Sequence, residues 1–231
     1  MVLTIILHHS ALELISSANC DADHNAVLND SKRRGKSSEK IILDLSVHQS
    51  AMHKELQAQT GRPDIIHLCM LHYHHSLKLL TDLMDNIKLI IHTRDDKKFV
   101  VHPDWRLPVN YNRFIGLMEQ LLVQNELKIS SSIKVKVEKK TLNEIIKEIK
   151  PEILFNFTTE GVKTKIADIS SEKAILKQNI VLLIGGFQSG EYNLQLEGEN
   201  TKNVKIVDKG TTAWEIMSLI FNNLLIKREE K

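Results

Sequence analysis

Arg62-Pro63-Asp64 sets a guanidinium two residues before a carboxylate, with Pro63 suited to the first position of a helix. A carboxylate that grips one edge of a guanidinium turns it into a rigid fork, the geometry by which arginine recognises phosphate. Asp64 falls in the first helical turn, where the dipole favours an anion, so it suits orienting Arg62 better than taking a proton. A surface ion pair with a helix cap fits the same spacing. A second cationic group lies in Pro103–Leu122, PDWRLPVNYNRFIGLMEQLL. Pro103 and Pro108 stiffen a loop, and Phe114, Ile115, Leu117, Met118, Leu121 and Leu122 follow at helical spacing. Between them stand Arg106, Asn110, Tyr111, Asn112 and Arg113. Cations on a stiff loop anchored by a packed helix point in fixed directions, as an anion site requires.

Other candidates are weaker. Gly185-Gly186-Phe187-Gln188-Ser189-Gly190 follows an apolar run and would let a ligand approach the backbone, although an ordinary turn reads the same. Its spacing is not a dinucleotide fingerprint. His67, His72, His74 and His75 cluster without the four-ligand spacing of a zinc site, so no metal is expected. Lys32, Arg33, Arg34 and Lys36 around Gly35 read either as a solvated loop or as a basic loop facing RNA.

The elements that must position these groups alternate between apolar strands and helices. Val2–Leu7, Ile41–Leu45, Lys88–Thr93, Phe99–His102, Ile133–Val137, Ile153–Phe157, Ile180–Ile184 and Val204–Val207 read as strands. Lys88–Thr93 and Phe99–His102 form a hairpin around Arg94–Lys98. Helices are predicted over Ala11–Ile15, His48–Gln59, from Pro63 to near Leu80, after Thr141, over Ser170–Gln178 and from Thr212 to about Lys227. The last is apolar on most sides and needs cover from its own core or from a second subunit. The 231 residues, 42% hydrophobic and 26% charged, suit one compact α/β domain over 1–231 with a long insertion, and exclude disorder and a disulfide scaffold. A net charge of +2 argues by itself for no nucleic acid. Cys20 and Cys69 read as reduced thiols of a cytoplasmic protein, and no apolar run is long enough to span a membrane.

Several blocks, in order, resemble one family. Gly61-Arg62-Pro63-Asp64-Ile65 with His67, Ile91-His92-Thr93-Arg94, Arg106-Leu107-Pro108 and Asn110–Gln120 carry the resemblance, supported by Lys32–Lys36, Ile42–Ser46, Ser50-Ala51-Met52 and Ala213-Trp214. The chain resembles the archaeal and eukaryotic ribosome-biogenesis methyltransferases that methylate N1 of a pseudouridine in small-subunit ribosomal RNA. The resemblance implies a SPOUT-type α/β methyltransferase fold with a C-terminal trefoil knot and an inserted β-hairpin region, working as a homodimer. It implies S-adenosyl-L-methionine as cofactor, held among knot loops that fall here at Thr158, Gly185, Gly190 and Ile206, Val207, Asp208, Lys209, Gly210 and Thr211. It implies RNA contacts at Arg62, held by Asp64, and at Arg106 and Arg113, and it leaves the proton acceptor unidentified, Asp64 being a candidate ranked below its role in orienting Arg62. The alternative is a non-catalytic rRNA-binding assembly factor. The family usually carries a further arginine where this chain has Val109, and commonly Pro-His where it has Gln188-Ser189.

Overall fold

The computed structural model describes residues 2–18, 20–169, 178–190, 192, 194, 196 and 200–229. Its centre is β1 (Leu3–Ser10), whose residues are buried on both sides, as a continuous apolar run demands. Leu3, Ile5 and Leu7 enter the larger core, while Ile6 enters a smaller one across the sheet. β1 pairs in parallel with β2 (Ile87–Thr93) and with β8 (Ile180–Gly185). β7 (Ile153–Lys163) lies parallel to β8, and β9 (Thr201–Lys205) lies parallel to β7. Beyond β2 the antiparallel β3 (Lys97–Val101) and β6 (Glu138–Lys139) complete the order β6-β3-β2-β1-β8-β7-β9. A separate pair, β4 (Glu126–Lys128) and β5 (Lys134–Lys136), stands apart. The sheet is thus mixed and mostly parallel.

Helices cover both faces. α3 (Pro63–Leu79), α4 (Tyr111–Gln124) and α7 (Ala213–Glu229) supply Ile66, Tyr73, Phe114, Met217 and Phe221 to the larger core. α5 (Leu142–Ile149) covers the other face with Leu142, Ile145 and Ile146. It begins on a capping box, Thr141 accepting from the Glu144 N–H while Glu144 reaches back to the Thr141 N–H. The short α6 (Ile166–Ile169) leads to residues outside those described, where most of the helix predicted over Ser170–Gln178 falls.

The N-terminal excursion between β1 and α3 departs from the sequence reading. The polar stretch after Asp21 is not all loop: Asn25–Arg34 forms α1, capped by the His24 imidazole and closed by Gly35 at φ 60°. Arg34 and Lys36 turn inward, each 2.7 Å from the carboxylate of Glu119, which is 2% exposed and also accepts from the Ile42 N–H. Of the basic run, Lys32 and Arg33 are the exposed members in α1, Arg33 with its guanidinium on the buried Asp30. No helix forms over Ala11–Ile15, because Leu12 and Leu14 extend into the main core and Ile15 into a satellite core. Ile41–Leu45 joins no sheet; Ile42 makes one antiparallel bridge to Leu14, and Ile41 and Leu43 fill the satellite core with Val27, Ala51 and Met52. No continuous helix forms over His48–Gln59: α2 (Leu45–His48) ends at the first residue of that stretch and only short 3-10 turns follow, since its apolar residues are too few to form a continuous helical stripe.

Candidate active site

Three segments meet where β1, β8 and β9 end, the usual ligand position in parallel α/β sheets. They enclose a cleft of about 340 Å³, within the range of small-molecule sites. Thr158 of β7, Gly185 and Gly190 of the glycine turn, and Ile206, Val207, Lys209, Gly210 and Thr211 after β9 all line it. β9 ends at Lys205, so Ile206 and Val207, predicted as strand, belong instead to the cleft-lining loop. The cleft opens beside β7 because pairing with β9 is interrupted between Phe157 and Val162. Asp208 stands apart from the lining and ties the loop down, 2.5 Å from Lys163 and 3.8 Å from Lys205. Gly190, at φ 103°, is packed so that a Cβ would fall 2.8 Å from the Gln59 amide nitrogen.

Sequence reasoning missed the back wall. His8 lines the cleft, its Nδ1 2.9 Å from that of His9, whose ring stacks on Tyr192 at 3.9 Å. Burial, together with neighbouring imidazoles, lowers His8 to about 3 and His9 to about 4. The two imidazoles are therefore uncharged at neutral pH, and the cations of the lining are Lys205 and Lys209. Phe157, Ile184 and Ile216 add apolar surface of the kind that takes an aromatic base.

Arg62 sits at the rim. Its Nε is 2.8 Å from Asp64 Oδ1 and its Nη2 2.7 Å from Oδ2, so Asp64 holds it with both oxygens and favours the charged guanidinium. Nη1 donates to the Gln188 side chain of the glycine turn. Arg106 and Arg113 are exposed, and their side chains pair with nothing among the described residues. Val109 is 73% exposed, so it faces solvent between Arg106 and Arg113.

The histidines of α3 hold the loop that bears Arg106. His67 Nε2–H donates to the Pro108 carbonyl at 2.8 Å while its ring stacks on Phe114, and His74 Nδ1–H donates to the Pro103 carbonyl at 3.0 Å. Their seven-residue spacing puts both on one face of α3, a signal readable in the sequence beside a loop with two prolines. Among the described residues no group of three or more His, Cys, Asp or Glu side chains could hold a metal ion. Asn110 caps α4 by accepting from the Arg113 N–H, and Tyr111 donates to Asp44 at 2.6 Å, so the base of Arg113 is fixed while its side chain is free.

The sheet and cleft define an α/β protein with a small-molecule site at the ends of parallel strands, flanked by cations. The model of the EMG1/NEP1 methyltransferase family matches residues 5–225, and the chain belongs to that family. It is 36% identical to the ribosomal RNA small subunit methyltransferase Nep1 of Pyrococcus furiosus over 94% of this chain and 93% of that one. It is 33% identical to the Nep1 of Thermococcus onnurineus, over 96% and 97%. The crystal structure of Archaeoglobus fulgidus Nep1 bound to S-adenosylhomocysteine superposes with a TM-score of 0.80 at 27% identity, covering 99% of this chain and 100% of that one.

Proposed function

We propose that this chain is an S-adenosylmethionine-dependent methyltransferase of small-subunit ribosomal RNA, acting on N1 of a pseudouridine in ribosome biogenesis. The observation that carries the reading is the shared wall. The glycine turn that lines the cleft also supplies Gln188 to Arg62, so a small-molecule site and a phosphate-binding fork lie on either side of one segment. S-adenosylmethionine, bound in the cleft, supplies an electrophilic methyl group on a sulfonium. The loops at Thr158, Gly185, Gly190 and Ile206–Thr211 bind it largely by backbone, and the neutral His8 and His9 add no further positive charge to that of Lys205 and Lys209 in the lining. Arg62, oriented by Asp64, and Arg106 and Arg113 grip phosphates around an unstacked target base. Holding N1 in line at near-attack distance supplies on the order of 7–11 kcal/mol in favourable cases.

The reading includes a C-terminal trefoil knot through which the cleft loops are threaded, an inserted hairpin region, a single domain over 1–231, a cytoplasmic location and a homodimer. The fully buried Met217, Ile220 and Phe221 of α7 and its exposed Leu219 and Ile226 support a helix covered on one side by its own core and on the other by a second subunit. Labelled methyl transfer to a pseudouridine-containing RNA hairpin, with the uridine hairpin as control, tests the function. Transfer to the first alone is expected. Binding of RNA with no affinity for S-adenosylmethionine would instead favour a non-catalytic assembly factor.

A further inference from the structure

The segment leading into α3 is docked on the glycine turn at three consecutive positions. Arg62 Nη1 donates to Gln188, the Ser189 N–H donates to the Ala58 carbonyl at 3.1 Å, and Gly190 is packed against the Gln59 side chain. Of the five guanidinium N–H groups of Arg62, Asp64 takes two and Gln188 a third, which leaves two for a phosphate. Gln188 is exposed, lines the cleft and belongs to the turn whose backbone faces the small-molecule side. Asp64 fixes the plane of the guanidinium from its own helix; Gln188 fixes it from the cleft.

Building on the proposed methyltransferase function, we infer that Gln188 is a positioning residue that couples the two sites, so that filling the cleft sets the Arg62 fork for RNA and raises RNA affinity. A ligand in the cleft packs against residues 185–190 and restricts the turn. The Gln188 carbonyl then stays on Arg62, and the cost of ordering the fork is met before RNA arrives. Thermodynamic linkage makes the effect mutual: RNA raises affinity for the small molecule by the same factor. A glutamine suits this role because a side-chain carbonyl accepts from a guanidinium without neutralising it.

The test is calorimetric. Dissociation constants for a pseudouridine hairpin are measured with and without saturating S-adenosylhomocysteine, and those for S-adenosylhomocysteine with and without the hairpin. In the unaltered chain both ratios are expected to agree at about fivefold or more. In Gln188→Ala both should fall towards one, whatever happens to either affinity alone. Gln188→Glu should pair with Arg62 by charge, weaken RNA binding and leave S-adenosylhomocysteine unable to restore it. Ratios near one in the unaltered chain, or undiminished ratios in Gln188→Ala, would overturn the coupling while leaving the methyltransferase reading in place. Failure of the unaltered chain to bind either ligand would overturn that reading and the coupling together.

Discussion

Buried titratable side chains give this protein a pH dependence with two opposed arms. Burial lowers His8 to about 3 and His9 and His74 to about 4, from 6.5. As pH falls from 6.5 towards 4 the unfolded chain binds protons that the folded chain refuses, so stability drops through that window. Glu13 acts in the opposite sense. Burial pushes its carboxyl up from 4.5 to about 8, so between those values the folded chain keeps a proton that the unfolded chain has lost, and stability falls as pH rises. With three lowered imidazoles against one raised carboxyl, melting temperature should therefore peak at about pH 7. Glu13→Gln, which preserves the acceptor for the Gly61 N–H, should flatten the alkaline arm, and His74→Gln, which can still donate to Pro103, should shallow the acid one. Thermal unfolding followed from pH 4 to 9 checks both. On the RNA side, Arg106→Ala and Arg113→Ala should each weaken hairpin binding and reduce its salt slope by about 0.7–1. Titrations at several salt concentrations decide this, and unchanged slopes would remove both residues from the interface.

At the scale of elements, the cleft depends on how closely β7 and β9 approach. A Cβ at Gly161 would lie 2.4–2.6 Å from the Val204 backbone, so Gly161→Ala must force the strands apart just below Ile206 and Val207. It should cost about 1–3 kcal/mol in denaturant unfolding and weaken S-adenosylhomocysteine binding. Thr141→Ala removes a cap on the opposite face, should cost about 1 kcal/mol and should leave that binding unchanged. Elements built on strong periodicity or on plain stop signals were legible: β1, β2, β3, α3, α4, α5, β8 and α7 fall close to where apolar spacing, Pro63, Thr141 and the glycines put them. α1 was not, because only Val27 and Asp30 of its ten residues are buried, and a polar helix held by ion pairs has no apolar stripe. Ile41–Leu45 misled for the converse reason. A run of apolar residues reports burial, and here the burial is in a satellite core with a single bridge. The site was legible in two degrees. Spacing identified the Arg62–Asp64 fork, and the resemblance supplied the cleft loops. The hydrogen bond from Arg62 to a residue 126 positions away exists only in the folded chain, whereas the shared face of His67 and His74 was readable from their spacing but not the carbonyls they would hold.

At the scale of the whole molecule, one buried sheet carries both halves of the proposed chemistry. Arg62 and Arg106 come from segments before β7, most of the cleft from β7 and the segments after it, and β1 joins them by adding His8 to the cleft and by pairing with β2 on one side and β8 on the other. Neither half buries its sheet edge alone. A chain cut after Lys150 would leave the β8-facing side of β1 without its partner, and it should partition into the insoluble fraction where the full chain stays in solution. Sedimentation of the two chains expressed side by side makes the comparison.

The central place of β1 also sets a timetable for synthesis. Leu3 pairs with Ile87 and with Ile180, so the first strand made acquires its second neighbour only when Ile180 is added, 93 residues after Ile87. At roughly 5–20 residues per second a nascent chain spends about 5–20 seconds with an apolar strand edge open to other chains on the same polysome. The arrangement that brings cleft and cations together in the finished protein is thus one that its own translation must wait for, and slowing elongation after β2 should raise the share of chains that aggregate before they fold.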